Sequence, residues 1–95
     1  MTISQVWLTG PGQVEVRQVS APTPKAGEVV VRTARSGICG SDLHTYRVGH
    51  VWLPYPIPPG HEASGIVETV GADVTTVQAG DRVFLNPALT CGACL

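Results

Sequence analysis

The sequence predicts a mainly β fold. Glycine accounts for 11 and proline for 8 of the 95 residues, and valine, isoleucine and threonine are frequent. This balance favours short strands joined by tight turns. Runs of strand length are bounded by turn-forming residues, which places the strands along the chain. The candidate strands are Ile3 to Leu8, Val14 to Val19, Glu28 to Ala34, Ala63 to Val70 and Arg82 to Leu85.

The residue pattern also predicts which faces of two strands are buried. In VEVRQV, Val14 and Val16 alternate with Glu15 and Arg17, which indicates a half-buried strand with the valines inward. The segment EVVVRTA, which begins at Glu28, has a continuous apolar run. We therefore expect this second strand to be covered on both faces.

One short helix is predicted near Cys39, in the stretch SGICGSDLHTY. Ser41 or Asp42 is expected to cap a short turn that runs on to Tyr46. The proline-rich stretch LPYPIPPG follows and predicts an extended loop that leads to His61.

Composition and charge exclude several classes of partner. The chain is 43% hydrophobic and 14% charged, enough for the modest core of one domain. Its formal net charge is -1 and its six lysines and arginines are scattered, so we expect no nucleic acid and no membrane partner. No apolar run approaches the roughly 18 residues of a membrane span, and MTISQVWLTG lacks the features of a signal peptide. We therefore expect a cytoplasmic protein.

The three cysteines indicate metal or redox chemistry, because an odd number cannot form a closed disulfide framework within one chain. Cys91 and Cys94 have the two-residue spacing that lets both thiolates face one tetrahedral metal ion. A redox dithiol of the thioredoxin type and a chance pair in a glycine turn are the alternatives. Since the sequence stops one residue after Cys94, we expect it to be cut from a longer chain.

A second group of candidate ligands consists of Cys39, His61 and Glu62. Together they offer sulfur, nitrogen and oxygen donors of the kinds that zinc accepts. Each also has an ordinary explanation. Cys39 alone suits a small buried hydrophobe, His61 a turn residue bonded to the backbone, and Glu62 a solvated strand end.

Three motifs in this order resemble the N-terminal part of the zinc-dependent medium-chain alcohol dehydrogenases, particularly the sorbitol and threonine dehydrogenase branch. They are GICGSDLHTY, PPGHEASGIVETVG and AGDRVFLNPALTCGACL, and the resemblance covers essentially the whole chain. It implies a GroES-like, partly open β-barrel that is incomplete at the C-terminus. Residues 1–95 would be the N-terminal part of the catalytic domain. The Rossmann cofactor domain is expected to be absent, because no G-x-G-x-x-G follows a strand.

The resemblance implies a role for each residue of the second group. Cys39, His61 and Glu62 correspond to the catalytic-zinc residues, with Glu62 bound directly or through water. A further ligand would lie beyond Leu95. Asp42 corresponds to the carboxylate that holds the other N–H of a ligating imidazole. A plain helix cap is the alternative for Asp42.

Further roles follow from the same resemblance. Ser41 corresponds to the hydroxyl that contacts the substrate oxygen, and His44 to the outer member of a proton relay. A capping serine and a surface histidine are the alternatives. Cys91 and Cys94 correspond to the first two of four structural-zinc cysteines. The loop expected to face the substrate, which could equally be plain surface, contains Tyr46, Arg47, His50 and Trp52.

The function implied by the resemblance is oxidation of an alcohol or polyol by hydride transfer to NAD or NADP, with zinc as Lewis acid. The complete protein is expected to be a homo-oligomer, and this chain alone to be inactive and to aggregate or dimerise. A stand-alone zinc-binding or interaction module without redox activity is the alternative. A zinc-free relative of the quinone reductase type is disfavoured, since those proteins lack the ligands Cys39 and His61.

Overall fold

The computed structural model describes residues 1–88, 91 and 93, and within them the predicted mainly β fold with one short helix is confirmed. All of the predicted strands are present, and their ends differ from the prediction by three residues at most. The elements are β1 (Thr2–Gly10), β2 (Gln13–Ser20), β3 (Val29–Gly37), α1 (Gly40–Val48), β4 (Glu62–Val70) and β5 (Arg82–Phe84).

The strands form two separate antiparallel sheets. β1 and β2 form a hairpin, while the other three strands form a sheet in the order β3-β4-β5, with β4 in the centre. Leu8 and Ile57 exchange two backbone hydrogen bonds of 2.8 Å, which attach the hairpin to the loop after α1. Across the described ranges no strand pairing joins the two sheets into a closed barrel, so the expected partly open barrel is confirmed.

The expectation that β3 is covered on both faces is wrong. Val29 and Val31 are each 36% exposed, and Val30 is half-buried. The physical reason is that Val29 and Val31 line an apolar cavity of about 360 Å³ together with side chains of β4 and β5, so this face of β3 is not packed. The fully buried valine is Val67 of β4, at 1% exposure.

The expectation that the valines of β2 face inward is also wrong. Val14 and Val16 are 55% and 64% exposed, whereas Arg17 and Val19 are half-buried. The guanidinium carbon of Arg17 lies 5.0 Å from the centre of the Trp7 ring on β1, so the guanidinium group lies over the aromatic face. Val14 pairs with Leu8 of β1 and shares a sheet face with that buried leucine, but Val14 and Val16 themselves stay more than half exposed.

The helix α1 begins as predicted near Cys39, but its cap differs in part. Cys39 itself is the N-cap, with extended backbone, and Ser41 lies inside the first turn rather than capping it. Asp42 does stabilise the helix start, because its Oδ2 accepts the backbone N–H of Cys39 at 2.9 Å. Among the described residues, no helix is both long and apolar enough to cross a membrane.

Candidate metal centre

The antiparallel pairing of β3 and β4 builds the site. Gly37, the last residue of β3, pairs with Glu62, the first residue of β4. The chain reaches Cys39 two residues after the end of β3, and His61 directly precedes β4. Since the end of one strand lies beside the start of the other, residues far apart in sequence meet at one edge of the sheet.

Three candidate ligands converge there. The Sγ of Cys39, a ring nitrogen of His61 and a carboxylate oxygen of Glu62 all lie within 4.8 Å of one another. Cys39 and His61 are half-buried and Glu62 is exposed. Zinc bond lengths of about 2.0 to 2.3 Å place tetrahedral donors roughly 3.3 to 3.8 Å apart. The donor atoms of the three residues therefore have to move about 1 Å closer to one another to bind zinc. Their sulfur, nitrogen and oxygen chemistry fits zinc.

Asp42 connects the helix start to the histidine. Its Oδ1 lies 3.6 Å from Nδ1 of His61, and its Oδ2 accepts the backbone N–H of Cys39. The first distance is longer than a hydrogen bond, so a small shift of either side chain is needed to form one. Because Asp42 faces Nδ1, the nitrogen left for a metal ion is Nε2.

Gly37 leaves room for the carboxylate of Glu62. A Cβ at position 37 would lie 2.6 Å from Oε1 of Glu62, closer than carbon and oxygen approach without a bond. Gly40, on the other side of Cys39, has nothing within 4 Å of the corresponding position. Only the first of these two glycines is therefore required by the arrangement of the ligands.

The structure places Ser41 and His44 differently with respect to the ligands. Ser41 and His61 line one cavity of about 190 Å³ between α1 and the loop that precedes β4. His44 lies exposed on α1, and in the part of the chain that the structure describes its imidazole makes no hydrogen bond. The roles of both residues remain predictions.

Cys91 lies in the described part of the chain, whereas Cys94 lies outside the described residues. Cys91 is exposed, and the backbone N–H of Ala93 donates to its Sγ at 3.4 Å. The pairing of Cys91 with Cys94 around a structural zinc ion therefore remains a prediction.

One residue that sequence reasoning missed is Tyr55, in the loop that leads to His61. Its hydroxyl donates to the backbone oxygen of Thr45 at 2.6 Å, and the hydroxyl of Thr45 donates to the backbone oxygen of Ser41 at 2.9 Å. The bond from Tyr55 ties the loop that ends at His61 to the helix that begins after Cys39, while the bond from Thr45 lies within that helix. A tyrosine within a proline-rich loop gives no local signal of such a contact.

Comparison with known proteins agrees with this geometry. The model of the alcohol dehydrogenase GroES-like domain matches residues 25–95. The chain belongs to this family. Human sorbitol dehydrogenase is 42% identical to this GroES-like chain over 81 residues, which make up 82% of the chain and 23% of the relative. The zinc-type alcohol dehydrogenase-like protein YdjJ of Escherichia coli K12 is 37% identical, over 99% of the chain and 28% of the relative.

A solved structure has a similar fold. The short chain alcohol dehydrogenase RspB from E. coli CFT073, complexed with the cofactor NADH, matches the GroES-like chain with a TM-score of 0.85 and 38% identity. The match covers 98% of this chain and 27% of that protein. The chain thus spans about a quarter of the length of the relatives that it matches.

Proposed function

We propose that this chain is the N-terminal part of the catalytic domain of a zinc-dependent NAD(P) oxidoreductase that converts an alcohol or polyol to a carbonyl compound. The observation that carries the proposal is the convergence of Cys39, His61 and Glu62 within 4.8 Å, with Ser41 on a cavity that His61 also lines. The sorbitol dehydrogenase, zinc-type and NADH-bound relatives support the substrate class and the cofactors.

Each residue of the site then has a distinct task. Cys39 and His61 would hold zinc, Glu62 would bind it directly or through water, and Asp42 would accept the Nδ1–H of His61 so that Nε2 faces the metal. When bound, zinc supplies a Lewis acid that lowers the pKa of an alcohol hydroxyl.

The proton and the hydride leave the alcohol by separate routes. The Oγ of Ser41 accepts the hydroxyl proton and passes its own proton to the imidazole of His44, which releases it to solvent. A bound nicotinamide would supply the hydride acceptor, so that the C–H bond and the O–H bond of the alcohol would both break as the carbonyl forms.

The proposal also covers the rest of the protein. The nicotinamide cofactor would be held by a Rossmann domain outside residues 1–95, so the 95-residue chain alone is inactive. Cys91 and Cys94 would provide two of the four ligands of a structural zinc ion. The complete protein would be a cytoplasmic homo-oligomer without nucleic-acid or membrane partners.

The test compares Cys39→Ala with Ser41→Ala in the protein that contains this chain. With cobalt in place of zinc, Cys39→Ala is expected to abolish both the thiolate-to-cobalt absorption of this site and turnover. Ser41→Ala should keep that absorption and lose roughly 100-fold or more in kcat, the contribution of a positioned proton acceptor.

Two results contradict the proposal. Full activity in Cys39→Ala would show that the thiol does not serve a catalytic metal ion. Zinc binding without oxidation of any alcohol in a panel of alcohols and polyols would instead support a zinc-binding module without redox activity.

A further inference from the structure

The cavity lined by Ser41 and His61 is also lined by His50. Its volume is about 190 Å³, and much of its wall is apolar, from Leu53, Ile57 and the prolines before His61. His50 follows Gly49, the C-cap of α1, whose φ of 99° lies in the region that favours glycine. The end of the helix therefore turns the chain so that His50 lines the cavity.

The hydrogen bonding of His50 defines its tautomer. The backbone N–H of Trp52 donates to Nδ1 of His50 at 3.1 Å, and the two rings lie 5.9 Å apart. Because Nδ1 accepts this N–H, Nε2 is the ring nitrogen left to donate a hydrogen bond. His50 therefore offers the cavity a single hydrogen-bond donor, Nε2–H.

The other polar side chains of the cavity are already engaged. The hydroxyl of Thr45 donates to the backbone oxygen of Ser41, and Asp42 accepts the N–H of Cys39 and faces His61. Ser41 and His50 are thus the polar side chains left to bind a small molecule beside the candidate metal ligand. Two such groups at one cavity suit a molecule with two oxygens.

We propose that His50 is a specificity-determining residue that donates Nε2–H to a second, non-reacting hydroxyl of a neutral diol or polyol. The inference rests on the proposed function, in which Ser41 binds the reacting oxygen. Among the described residues no lysine or arginine lines this cavity, while the carboxylate of Asp42 does. A phosphorylated or carboxylated substrate would therefore find no lysine or arginine among these lining residues to pair with its charge.

The experiment uses the protein that contains this chain. It measures the preference for the butanediol with hydroxyls on its two central carbons over sec-butanol, which has only one of those hydroxyls. His50→Phe keeps a planar ring and removes the donor, so this preference in kcat/KM should fall roughly tenfold, mainly through KM. His50→Gln restores a donor near the position of Nε2 and should recover much of it. Val51→Ala is the matched control, because Val51 is 83% exposed and should leave the preference unchanged.

A spectroscopic measurement accompanies the kinetics. In protein with ¹⁵N-labelled histidine, the signal lost in His50→Gln should show the Nε2–H tautomer and shift when the diol is added without nicotinamide. Three results would overturn the role of His50 and leave the proposed function standing. They are an unchanged diol preference in His50→Phe, a histidine signal that does not shift with the diol, and a preference for a phosphorylated polyol. Failure of the wild-type protein to oxidise either alcohol would overturn this role and the proposed function together.

Discussion

The β1–β2 hairpin and the β3–β4–β5 sheet use the same antiparallel pairing but differ in how closely their backbones approach other chain segments. A Cβ at Gly65 of β4 would overlap the carbonyl oxygen of Arg32 on β3, and one at Gly71 would overlap that of Lys25. At Gly12, in the hairpin turn, the same position is open space. The candidate ligands thus lie on the region with the tighter backbone packing.

The two regions also differ in their side-chain contacts. In the hairpin the side-chain pairs Arg17–Glu15 and Gln18–Ser4 lie at the surface, where such pairs contribute little to stability. In the sheet, the central strand carries the buried Val67. Changes in the sheet should therefore alter both folding and metal binding, while changes at these exposed hairpin pairs should alter stability only slightly. The core residue of the hairpin is Leu8 of β1, which is 4% exposed.

The largest expected effect comes from Gly65→Ala. The new methyl group has to push apart the β3–β4 pairing that brings Cys39 to His61, so unfolding free energy should fall by roughly 3 kcal/mol and metal binding should weaken with it. Gly12→Ala is the control in the hairpin, where the cost is the left-handed conformation at φ 68°, roughly 1 kcal/mol. Urea unfolding of both variants, with and without zinc, measures the difference. Equal losses would show that the two regions do not differ.

The next effect separates the two contacts of Asp42. Asp42→Asn keeps an oxygen for the N–H of Cys39 but removes the charge that faces His61, so zinc affinity should fall by up to about 100-fold with little change in stability. Asp42→Ala removes both contacts and should also lose about 1 kcal/mol of unfolding free energy. Competition with a chelator gives the affinities. Unchanged zinc affinity in Asp42→Asn would exclude Asp42 as the residue that orients His61.

A smaller effect distinguishes the two glycines beside Cys39. Gly37→Ala should displace the carboxylate of Glu62, which is the mobile end of its side chain, and lower zinc affinity about tenfold while the fold persists. Gly40→Ala meets no atom within 4 Å and should bind zinc as the wild type does. Calorimetric zinc titration of the two variants tests this, and equal affinities would mean that Glu62 contributes nothing to the site.

The smallest effect is expected in the hairpin, at Glu15. The hydrogen bond from Arg17 and the charge of its guanidinium lower the pKa of the Glu15 carboxyl in the folded chain. Its contribution to stability is therefore present above the unfolded pKa and is lost as the pH falls through the folded pKa. Glu15→Gln should show slightly less acid destabilisation than the wild type, and added salt should shrink this difference. If the difference between Glu15→Gln and the wild type were the same at high salt as at low salt, the Arg17–Glu15 pair would not be a surface pair that salt screens.

Much of the fold could be predicted from local pattern, but burial could not. Turn residues and β-branched runs placed each strand, because these preferences act within a few residues. The wrong expectations for β2 and β3 concern neighbours in space. Whether Val31 or Val14 is covered depends on which distant segments pack over its face of the sheet, and both side chains are at least 36% exposed among the described residues.

The candidate site also combines features that local sequence predicts with distances that it does not. The sequence by itself determined the chemistry of the donors and the start of α1 after Cys39, since residue types and cap signals are local properties. Only the tertiary structure decided that Cys39, His61 and Glu62 converge, that Gly37 makes room for them, and that His50 shares a cavity with Ser41. The physical reason is that strand pairing and loop attachment set distances between segments, and no short stretch of sequence encodes such distances.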